Sequence, residues 1–258
     1  EPAFKNYMII TKEEKLTKSA ENFLKASGGN ILSSIPEIGI AIVQSNDMDF
    51  MQKAMKGTEI QAVVPDYEVK WIPTNNAQEA GIGQGEFFFD QKRLWGMDAI
   101  NAPEAWDLGF RGKGASVFVL DSGLNPFHRD LAPNVNTTLS TSFIQGETWF
   151  LSPTTGFNHG THVAGTIAAA DTNYGIIGVA PEAKIVAVKV LSEFSGSGPF
   201  SSINAGIVYA ANNGADVINM SLGATLDKSG KLIDADGIEF HIPAVNIQVI
   251  IRAQQRAI

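Results

Sequence analysis

Hydrophobic residues follow one pattern in the first 70 residues and another from residue 91 onwards. In the first part, short apolar runs alternate with segments in which apolar residues recur at helical spacing until a glycine ends the pattern. These patterns predict strands at residues 6–11, 30–33, 38–43 and 60–64, and helices at residues 16–27 and 50–56. The order β-α-β-β-α-β is that of a ferredoxin-like α+β unit.

From residue 91 the chain alternates helices with buried strands. Apolar runs predict strands at residues 115–120, 185–191 and 215–220. Helices are predicted at residues 101–109, 160–170, 201–213 and 243–258, with Asn101 and Ser201 as N-caps. This alternation predicts an α/β domain in which helices cover both faces of a parallel sheet. The polar segment at residues 224–237 is expected to be a surface insertion.

A stretch with the composition of a linker separates the two patterns. Residues 72–90 contain one proline, two asparagines and three glycines without sustained periodicity. We therefore predict three parts: a small N-terminal domain at residues 1–73, a linker at 74–90 and an α/β domain at 91–258.

Composition narrows the classes of function. Of the 258 residues, 44% are hydrophobic and 18% are charged, as is typical of a globular protein. Acidic residues outnumber basic ones by 27 to 19, giving a net charge of −8, so we do not expect nucleic acid as a partner. The sequence has no cysteine, which excludes disulfides, thiol catalysis and cysteine-ligated zinc. No apolar run approaches the roughly 18 residues of a membrane span.

Two motifs at the ends of predicted elements carry candidate chemistry. Asp121 directly follows the strand at 115–120, and functional side chains of parallel sheets collect at the carboxyl ends of strands. His159 opens the string His-Gly-Thr-His-Val-Ala-Gly-Thr. Taken singly, such an aspartate is commonly a turn cap and such a histidine is commonly structural. Together they suggest two members of a hydrolytic triad, in which a carboxylate orients the imidazole that accepts a proton from a nucleophile.

A metal site is the alternative interpretation of the histidines. His159 and His162 are spaced i, i+3, as a pair of metal ligands on one helix would be. No His-Glu-x-x-His motif and no cysteine accompanies them, which argues against zinc.

The motifs resemble those of the subtilisin-like serine proteases in order and spacing. The matching strings are Val-Leu-Asp-Ser-Gly at 119–123, the string at 159–166, Gly-Val-Ala-Pro at 178–181, Ala-Val-Lys-Val-Leu at 187–191, Gly-Ser-Gly at 196–198 and Asp-Val-Ile-Asn-Met-Ser-Leu-Gly at 216–223. The resemblance covers residues 87–258 and implies a parallel-sheet α/β domain that is incomplete at its C-terminus. It implies a serine endopeptidase with Asp121 as the triad aspartate, His159 as the general base and His162 as a structural residue on the helix behind.

The resemblance also implies where a polypeptide substrate binds. Two segments, Gly196-Ser197-Gly198 and Ser221-Leu222-Gly223, would form main-chain hydrogen bonds to an extended peptide. Without the resemblance, both segments are better interpreted as ordinary loops, because glycine and serine are common in turns. Phe200 either lines an apolar subsite or belongs to the core.

A structural calcium ion is a further implication, whereas no cofactor is expected for catalysis. The resemblance places the side chains of Gln91, Asp130 and Thr172 at the calcium site of the family. The main-chain carbonyls of Ala170, Tyr174 and Ile176 would complete the site. Oxygen ligands of this kind suit calcium.

The N-terminal domain resembles the inhibitory propeptide of the family in its element order, length and position. The resemblance implies an intramolecular inhibitor whose residues 67–73 enter the substrate cleft. Ser221 is not the expected nucleophile, because it matches a substrate-binding serine and lacks a Gly-Thr-Ser-Met-Ala context.

We therefore expect a secreted protease zymogen, its leader removed before Glu1, of which this chain contains only the aspartate and histidine of the triad. The chain alone is expected to be inactive, because the missing C-terminal catalytic half supplies the serine. The alternative is a truncated, non-catalytic binding or inhibitory module. The presence of both Asp121 and His159 favours the enzyme.

Overall fold

The computed structural model describes residues 5–72, 94–152, 158–224, 230–233 and 239–258. The predicted linker at 74–90 lies outside the described residues. Contacts divide the chain into two compact units. Unit 1 contains Glu1–Val69, Pro199–Val208 and Thr225–Ile258, and unit 2 contains Lys70–Gly198 and Tyr209–Ala224. Because this grouping follows contacts and not chain position, the division at 1–73, 74–90 and 91–258 stays a prediction.

The described elements include those predicted from the sequence and several additional short ones. The strands are β1 Lys5–Thr11, β2 Asn30–Ile35, β3 Ile40–Ser45, β4 Ile60–Pro65, β5 Glu68–Lys70, β6 Ser116–Asp121, β7 Thr141–Ser142, β8 Lys184–Lys189, β9 Ser197–Pro199, β10 Val217–Asn219, β11 Lys231–Ile233 and β12 Glu239–His241. The helices are α1 Lys18–Ala26, α2 Phe50–Ala54, α3 Trp95–Ala99, α4 Ala102–Asp107, α5 His159–Ala168, α6 Phe200–Asn212 and α7 Ala244–Ala257. β11 lies in the predicted insertion and pairs antiparallel with β12, which lies just after it. Among the described residues, no helix has the length and apolar character needed to cross a membrane.

Unit 1 is built on an antiparallel sheet with the strand order β2-β3-β1-β4. In β1, Ile9 pairs with Ala41 of β3 and with Val63 of β4. These three residues are buried in one cluster with Leu24 of α1 and Phe50 of α2. The predicted order β-α-β-β-α-β is confirmed by the sequence of elements from β1 to β4. Alternate residues of the strands form an apolar face, and the two helices cover it.

Helices α6 and α7 also contact this sheet. The side chain of Met8 lies on the face opposite to that of Ile9, and the side-chain Nδ2 of Asn204 in α6 donates to its sulfur at 3.8 Å. Arg256 of α7 donates to the main-chain carbonyl of Thr11 (3.0 Å) and to the side-chain oxygen of Gln61 (2.9 Å). Hydrogen bonds from a guanidinium are stronger than those between neutral groups, so the bonds of Arg256 stabilise the packing of α7 on the sheet.

Unit 2 contains a parallel sheet with the strand order β10-β6-β8-β7. On one face, Ala164 and Ala168 of α5 are fully buried in a cluster with Val119 of β6. The small side chains let the helix approach the sheet closely. On the other face, Tyr209 at the end of α6 contacts Phe118, with ring centroids 6.4 Å apart. The predicted parallel sheet with helical residues on both faces is therefore confirmed.

Asn101 stands at the predicted N-cap position of α4 but does not cap it with its side chain, and the prediction of Ser201 as the N-cap of α6 is wrong. Asn101 has a φ of 56°, in the left-handed region, and its side chain makes no capping hydrogen bond to α4. An N-cap normally has an extended backbone, which aims its side chain at the free amides of the first turn. Asn101 instead turns the chain between α3 and α4. Ser201 lies inside α6, and its hydroxyl donates to Asp66 instead of capping the helix.

Asp66 caps helix α6 from a distant part of the chain. One carboxylate oxygen accepts a hydrogen bond from the Ser201 amide (3.3 Å), and the other accepts one from the Ser201 hydroxyl. Burial raises the pKa of Asp66 to about 6, the bonds from Ser201 act to lower it, and the negative charge of Glu68 raises it. Because the folded chain binds this proton more tightly than the unfolded chain does, the contact is most stable in acid.

We expect unit 1 to lose stability with rising pH because of Asp66. The contribution is fully present below the ordinary pKa of 3.8 and is lost as the pH rises through about 6. The loss should reach about 3 kcal/mol at neutral pH. Urea unfolding of the chain between about pH 3.5 and about pH 8 measures it as the difference between wild type and Asp66→Asn, which cannot ionise.

Glu68→Gln is the matched control, because it removes the charge that raises the pKa of Asp66 and keeps the carboxyl group itself. Its loss of stability should be smaller and should be complete at a lower pH than in wild type, because the pKa of Asp66 in the folded chain falls while that in the unfolded chain is unchanged. If the free energies of unfolding of wild type and Asp66→Asn run parallel over this range, the assignment to Asp66 is wrong.

Candidate active site

Asp121 is the last residue of β6 and lies at the carboxyl edge of the parallel sheet. Its side chain is 1% exposed. One carboxylate oxygen accepts hydrogen bonds from the amide (2.7 Å) and the hydroxyl (3.1 Å) of Ser122. The main-chain carbonyl accepts bonds from the amides of Val190 and Leu191, at 2.9 Å and 3.2 Å. The end of β8 therefore fixes a buried carboxylate at this edge.

His159 is the first residue of α5 and contacts Asp121. Its Nδ1 lies 3.0 Å from Oδ1 and 2.9 Å from Oδ2 of the aspartate. The glycine that follows permits this approach, since a β-carbon on Gly160 would lie 2.1 Å from the carbonyl oxygen of Gly123. The structure thus brings together the two predicted triad residues, which are 38 positions apart.

The pair has the electrostatics of an acid–base couple. A carboxylate only accepts hydrogen bonds, so Nδ1 of His159 carries the proton and Nε2 is the basic nitrogen. The hydrogen bond to Asp121 raises the pKa of His159, burial acts to lower it, and the charge of Asp121 raises it. The site can therefore accept a proton at Nε2 and stabilise the imidazolium that forms.

Three of the six predicted substrate-binding residues contact the chain's own Trp71. The Trp71 amide donates to the carbonyl of Gly196 (3.2 Å), and the Trp71 carbonyl accepts from the amide of Gly223 (3.2 Å). The indole Nε1 donates to the carbonyl of Gly198 (2.8 Å). Both predicted segments therefore bind the same residue, largely through their main chains.

The other three predicted substrate-binding residues differ in exposure. Ser197 is fully buried, and its hydroxyl oxygen has no hydrogen-bond partner among the described residues. Ser221 is exposed and its hydroxyl donates to the side-chain oxygen of Asn219 (2.9 Å), while Leu222 is half-buried. Phe200 is 1% exposed and belongs to unit 1.

His162 lies on α5 as expected, but its side chain is exposed and is not packed behind the helix. The described residues contain no group of three or more histidines, cysteines, aspartates or glutamates that could bind a metal ion. The zinc interpretation of the His159–His162 pair therefore gains no support from the part of the chain that the structure describes.

A buried charge cluster that no sequence motif predicted lies beside the Asp121–His159 pair. Lys189 is fully buried, and its Nζ lies 2.8 Å from Glu147 and 3.4 Å from Glu193. Burial acts to raise the pKa of Glu147, but hydrogen bonds from Lys189 and Ser192 bring it below its ordinary value. Glu193 also accepts a bond from the amide of Ser152 (2.7 Å). The one sequence feature that indicated this cluster is Lys189, a charged residue within an otherwise apolar predicted strand.

The predicted calcium ligands are only in part described. Gln91 lies outside the described residues, and Thr172 is exposed. Asp130 is buried, with Oδ2 accepting a bond from the Ile176 amide (3.0 Å) and its carbonyl accepting one from the Ala170 amide (2.7 Å). Its Oδ1 is buried without a hydrogen-bond partner among the described residues.

A parallel sheet with a buried carboxylate bonded to an imidazole at its carboxyl edge defines an α/β protein with an acid–base couple. The chain belongs to the subtilase family, whose sequence profile matches residues 112–254. The predicted relationship to the subtilisin-like serine proteases is confirmed.

Named relatives agree with this assignment. An alkaline protease of Alkalihalobacillus alcalophilus is 43% identical over 245 residues, which is 92% of this chain and 60% of the relative. M-protease of Shouchella clausii is 33% identical over the same length, with the same coverage. The chain thus spans about 60% of the length of these relatives.

Solved structures confirm the subtilisin-like α/β fold class. Fervidolysin from Fervidobacterium pennivorans, a keratinolytic enzyme related to subtilisin, matches with a TM-score of 0.64 and 25% identity, over 87% of this chain and 36% of that one. The epidermin leader peptide processing serine protease of Staphylococcus aureus matches with a TM-score of 0.69 over 99% of this chain and 56% of that one. At 22% identity, the second match supports the fold alone.

We expect Asp121→Asn to lower the pKa of His159. The amide removes both the negative charge and the acceptor that favour the imidazolium. The stability that this pair contributes in wild type is fully present below the ordinary histidine pKa of 6.5 and is lost as the pH rises through the raised value. An NMR titration of the histidine ring protons in residues 1–258 measures the shift.

Asp171→Asn is the matched control, because it neutralises an exposed aspartate that pairs with Arg111. It should leave the titration of His159 unchanged. An unaltered pKa of His159 in Asp121→Asn would show that the contact does not exist in solution.

Proposed function

We propose that this chain is the N-terminal part of a subtilisin-like serine endopeptidase precursor. The observation that carries the proposal is the hydrogen-bonded pair of buried Asp121 and His159 at the carboxyl edge of the parallel sheet. In the proposed reaction, Nε2 of His159 removes the proton from a serine hydroxyl as the oxygen attacks the peptide carbonyl. The imidazolium then gives this proton to the departing amine, while Asp121 keeps the ring in the required tautomer.

The proposed nucleophile lies outside these 258 residues. No serine of the chain has the Gly-Thr-Ser-Met-Ala context, and the hydroxyl of Ser221 is already bonded to Asn219. In the described sheet β10 is an outer strand, with Val217 and Met220 exposed. This edge offers main-chain groups to a further strand, in keeping with a catalytic half supplied by additional polypeptide.

The proposed substrate is a polypeptide in extended conformation. The carbonyl of Gly196 accepts a hydrogen bond from one residue and the amide of Gly223 donates one to the same residue. Main-chain bonds of this kind let a protein bind extended peptides of many sequences. Trp71, which occupies this position, belongs to the predicted N-terminal domain. Its place supports the proposal that residues 1–73 are an intramolecular inhibitor and that the chain is part of a zymogen; secretion is proposed from the resemblance to the family alone.

A structural calcium ion is part of the proposal, and Asp130 fits it. A buried carboxylate oxygen without a partner among the described residues is costly unless a cation or a donor satisfies it. Asp130 would bind the ion directly, with Gln91, Thr172 and nearby main-chain carbonyls as further oxygen ligands. The ion would stabilise the contact between Asp130 and the segment at residues 170–176, and it would take no part in catalysis.

Calcium should raise the melting temperature of residues 1–258 by roughly 5–10 °C at about a hundredfold excess over its dissociation constant. Asp130→Asn should abolish this shift because it removes the charged ligand, whereas Glu182→Gln, an exposed control, should retain it. Differential scanning calorimetry with calcium and with magnesium measures the effect. An equal shift in Asp130→Asn would exclude this site.

The second candidate function is a non-catalytic binding or inhibitory module. The coverage of about 60% of the named relatives keeps it open. The coding sequence after Ile258 separates the two, since an open frame that reaches Gly-Thr-Ser indicates the enzyme and a stop codon indicates the module.

The decisive experiment compares the full-length protein with residues 1–258, using a fluorogenic peptide and a serine-directed phosphonate. Full-length protein should hydrolyse the peptide, and Asp121→Asn should lower its kcat roughly 10⁴-fold while Asp171→Asn does not. Residues 1–258 alone should neither hydrolyse nor be labelled. Stoichiometric labelling of a serine in this chain, with turnover that His159→Ala abolishes, would contradict the proposal. An inactive full-length protein would favour the binding module.

A further inference from the structure

Trp71 is bound more specifically than its main-chain contacts require. Trp71 is only 6% exposed, and its indole N–H donates to the carbonyl oxygen of Gly198 at 2.8 Å. The main-chain groups of the glycines can bind any residue of an extended peptide. The bond to the Gly198 carbonyl, in contrast, needs a side chain that places a donor where the indole N–H lies. Among apolar aromatic side chains, only tryptophan combines such a ring with an N–H donor.

The acceptor carbonyl is fixed by its surroundings. Residue 198 has no room for a side chain, because a β-carbon there would lie 2.3 Å from the carbonyl oxygen of Val190. The preceding loop is closed on itself, with the Ser192 amide donating to the carbonyl of Ser197 (2.7 Å) and the Gly196 amide donating to that of Ser192 (2.9 Å). Gly198 is also buried, so its carbonyl loses contact with water.

The buried charge cluster anchors the same loop. Glu193 lies between Ser192 and the glycines, and its carboxylate is bound to Lys189 (3.4 Å) and to the amide of Ser152 (2.7 Å). Its own amide donates to Glu147 (3.0 Å). A site whose groups are fixed before binding discriminates more sharply between ligands than one that must reorganise.

We propose that the buried Gly198 carbonyl selects tryptophan, so that polypeptides bound beside it carry a tryptophan where the chain itself carries Trp71. This deepens the proposed function and rests on it for the statement that such polypeptides are substrates. The main-chain bonds to Gly196 and Gly223 place the peptide, and the indole confers the selectivity. A phenylalanine there would bury a ring but leave the carbonyl of Gly198 without its donor.

The test uses residues 1–258 with Trp71→Ala, so that the chain's own segment competes without an indole. Fluorescein-labelled peptides of the sequence of residues 68–74 carry tryptophan, 3-benzothienylalanine, phenylalanine or alanine at the Trp71 position. Benzothienylalanine has the shape of tryptophan and lacks the N–H. Fluorescence polarisation should show the tryptophan peptide binding about tenfold more tightly than the benzothienylalanine peptide and on the order of a hundredfold more tightly than the alanine peptide.

Two controls keep the result specific. Trp95→Ala removes a largely exposed tryptophan of the same unit and should not open the cleft to the peptides. Exchanging Trp71 with Ile72 in the peptide should lower its affinity to that of the alanine peptide. The same titration with Trp71→Phe replaces Trp71→Ala if circular dichroism shows the latter to be unfolded.

Equal affinities of the tryptophan and benzothienylalanine peptides, within about twofold, would overturn the selectivity. Hydrolysis of the same peptides by the full-length protein separates this failure from that of the proposed function. Equal binding with hydrolysis would exclude the selectivity for tryptophan and leave the protease. Selective binding without hydrolysis would remove the protease and leave a tryptophan-selective peptide-binding cleft.

Discussion

The buried carboxylate of Asp121 is the constraint on which the candidate active site depends. A carboxylate withdrawn from water costs several kcal/mol unless donors surround it. Ser122 supplies two of these donors and His159 supplies another. For the imidazole to reach the carboxylate, α5 has to begin against the end of β6, which only a residue as small as Gly160 allows. Burial of one charge thus explains a strand end, a helix start and the tautomer of the base.

A second buried charge, that of Lys189, links the sheet edge to the loop at residues 192–198. Lys189 ends β8 in register with Asp121 and is neutralised by Glu147 and Glu193. Removing one partner from a buried cluster of this kind typically costs about 3–5 kcal/mol, so these residues depend on one another. Because Glu193 belongs to the loop that leads to Gly198, the cluster connects the sheet edge with the main-chain acceptor that binds an indole. The acid–base couple and the contacts of Trp71 are therefore parts of one packed arrangement.

The N-terminal sheet is stabilised in a different way. Its apolar residues alternate between a face covered by α1 and α2 and a face that contacts α6 and α7, so the sheet is not left half-exposed. Polar contacts at its margins give these packings a defined geometry. Arg256 binds two groups of the sheet region, and Asp66 caps α6 at the cost of burying a carboxyl group. The second contact depends on pH, because its apolar environment favours the protonated acid.

The sequence by itself determined the order of the elements, the parallel sheet and the identity of Asp121 and His159, because periodicity and short motifs are local properties of the chain. Only the tertiary structure decided which polar groups meet across long separations. Trp71 and Gly198 are 127 positions apart, and Asp66 and Ser201 are 135 positions apart. At Asn101 a left-handed backbone prevents the side-chain capping bond, and at Ser201 the hydroxyl bonds to a buried carboxyl group instead of capping the helix, so tertiary context outweighed local preference at both positions. Burial makes an unpaired polar group costly, and no local pattern in the sequence records which partner will relieve it.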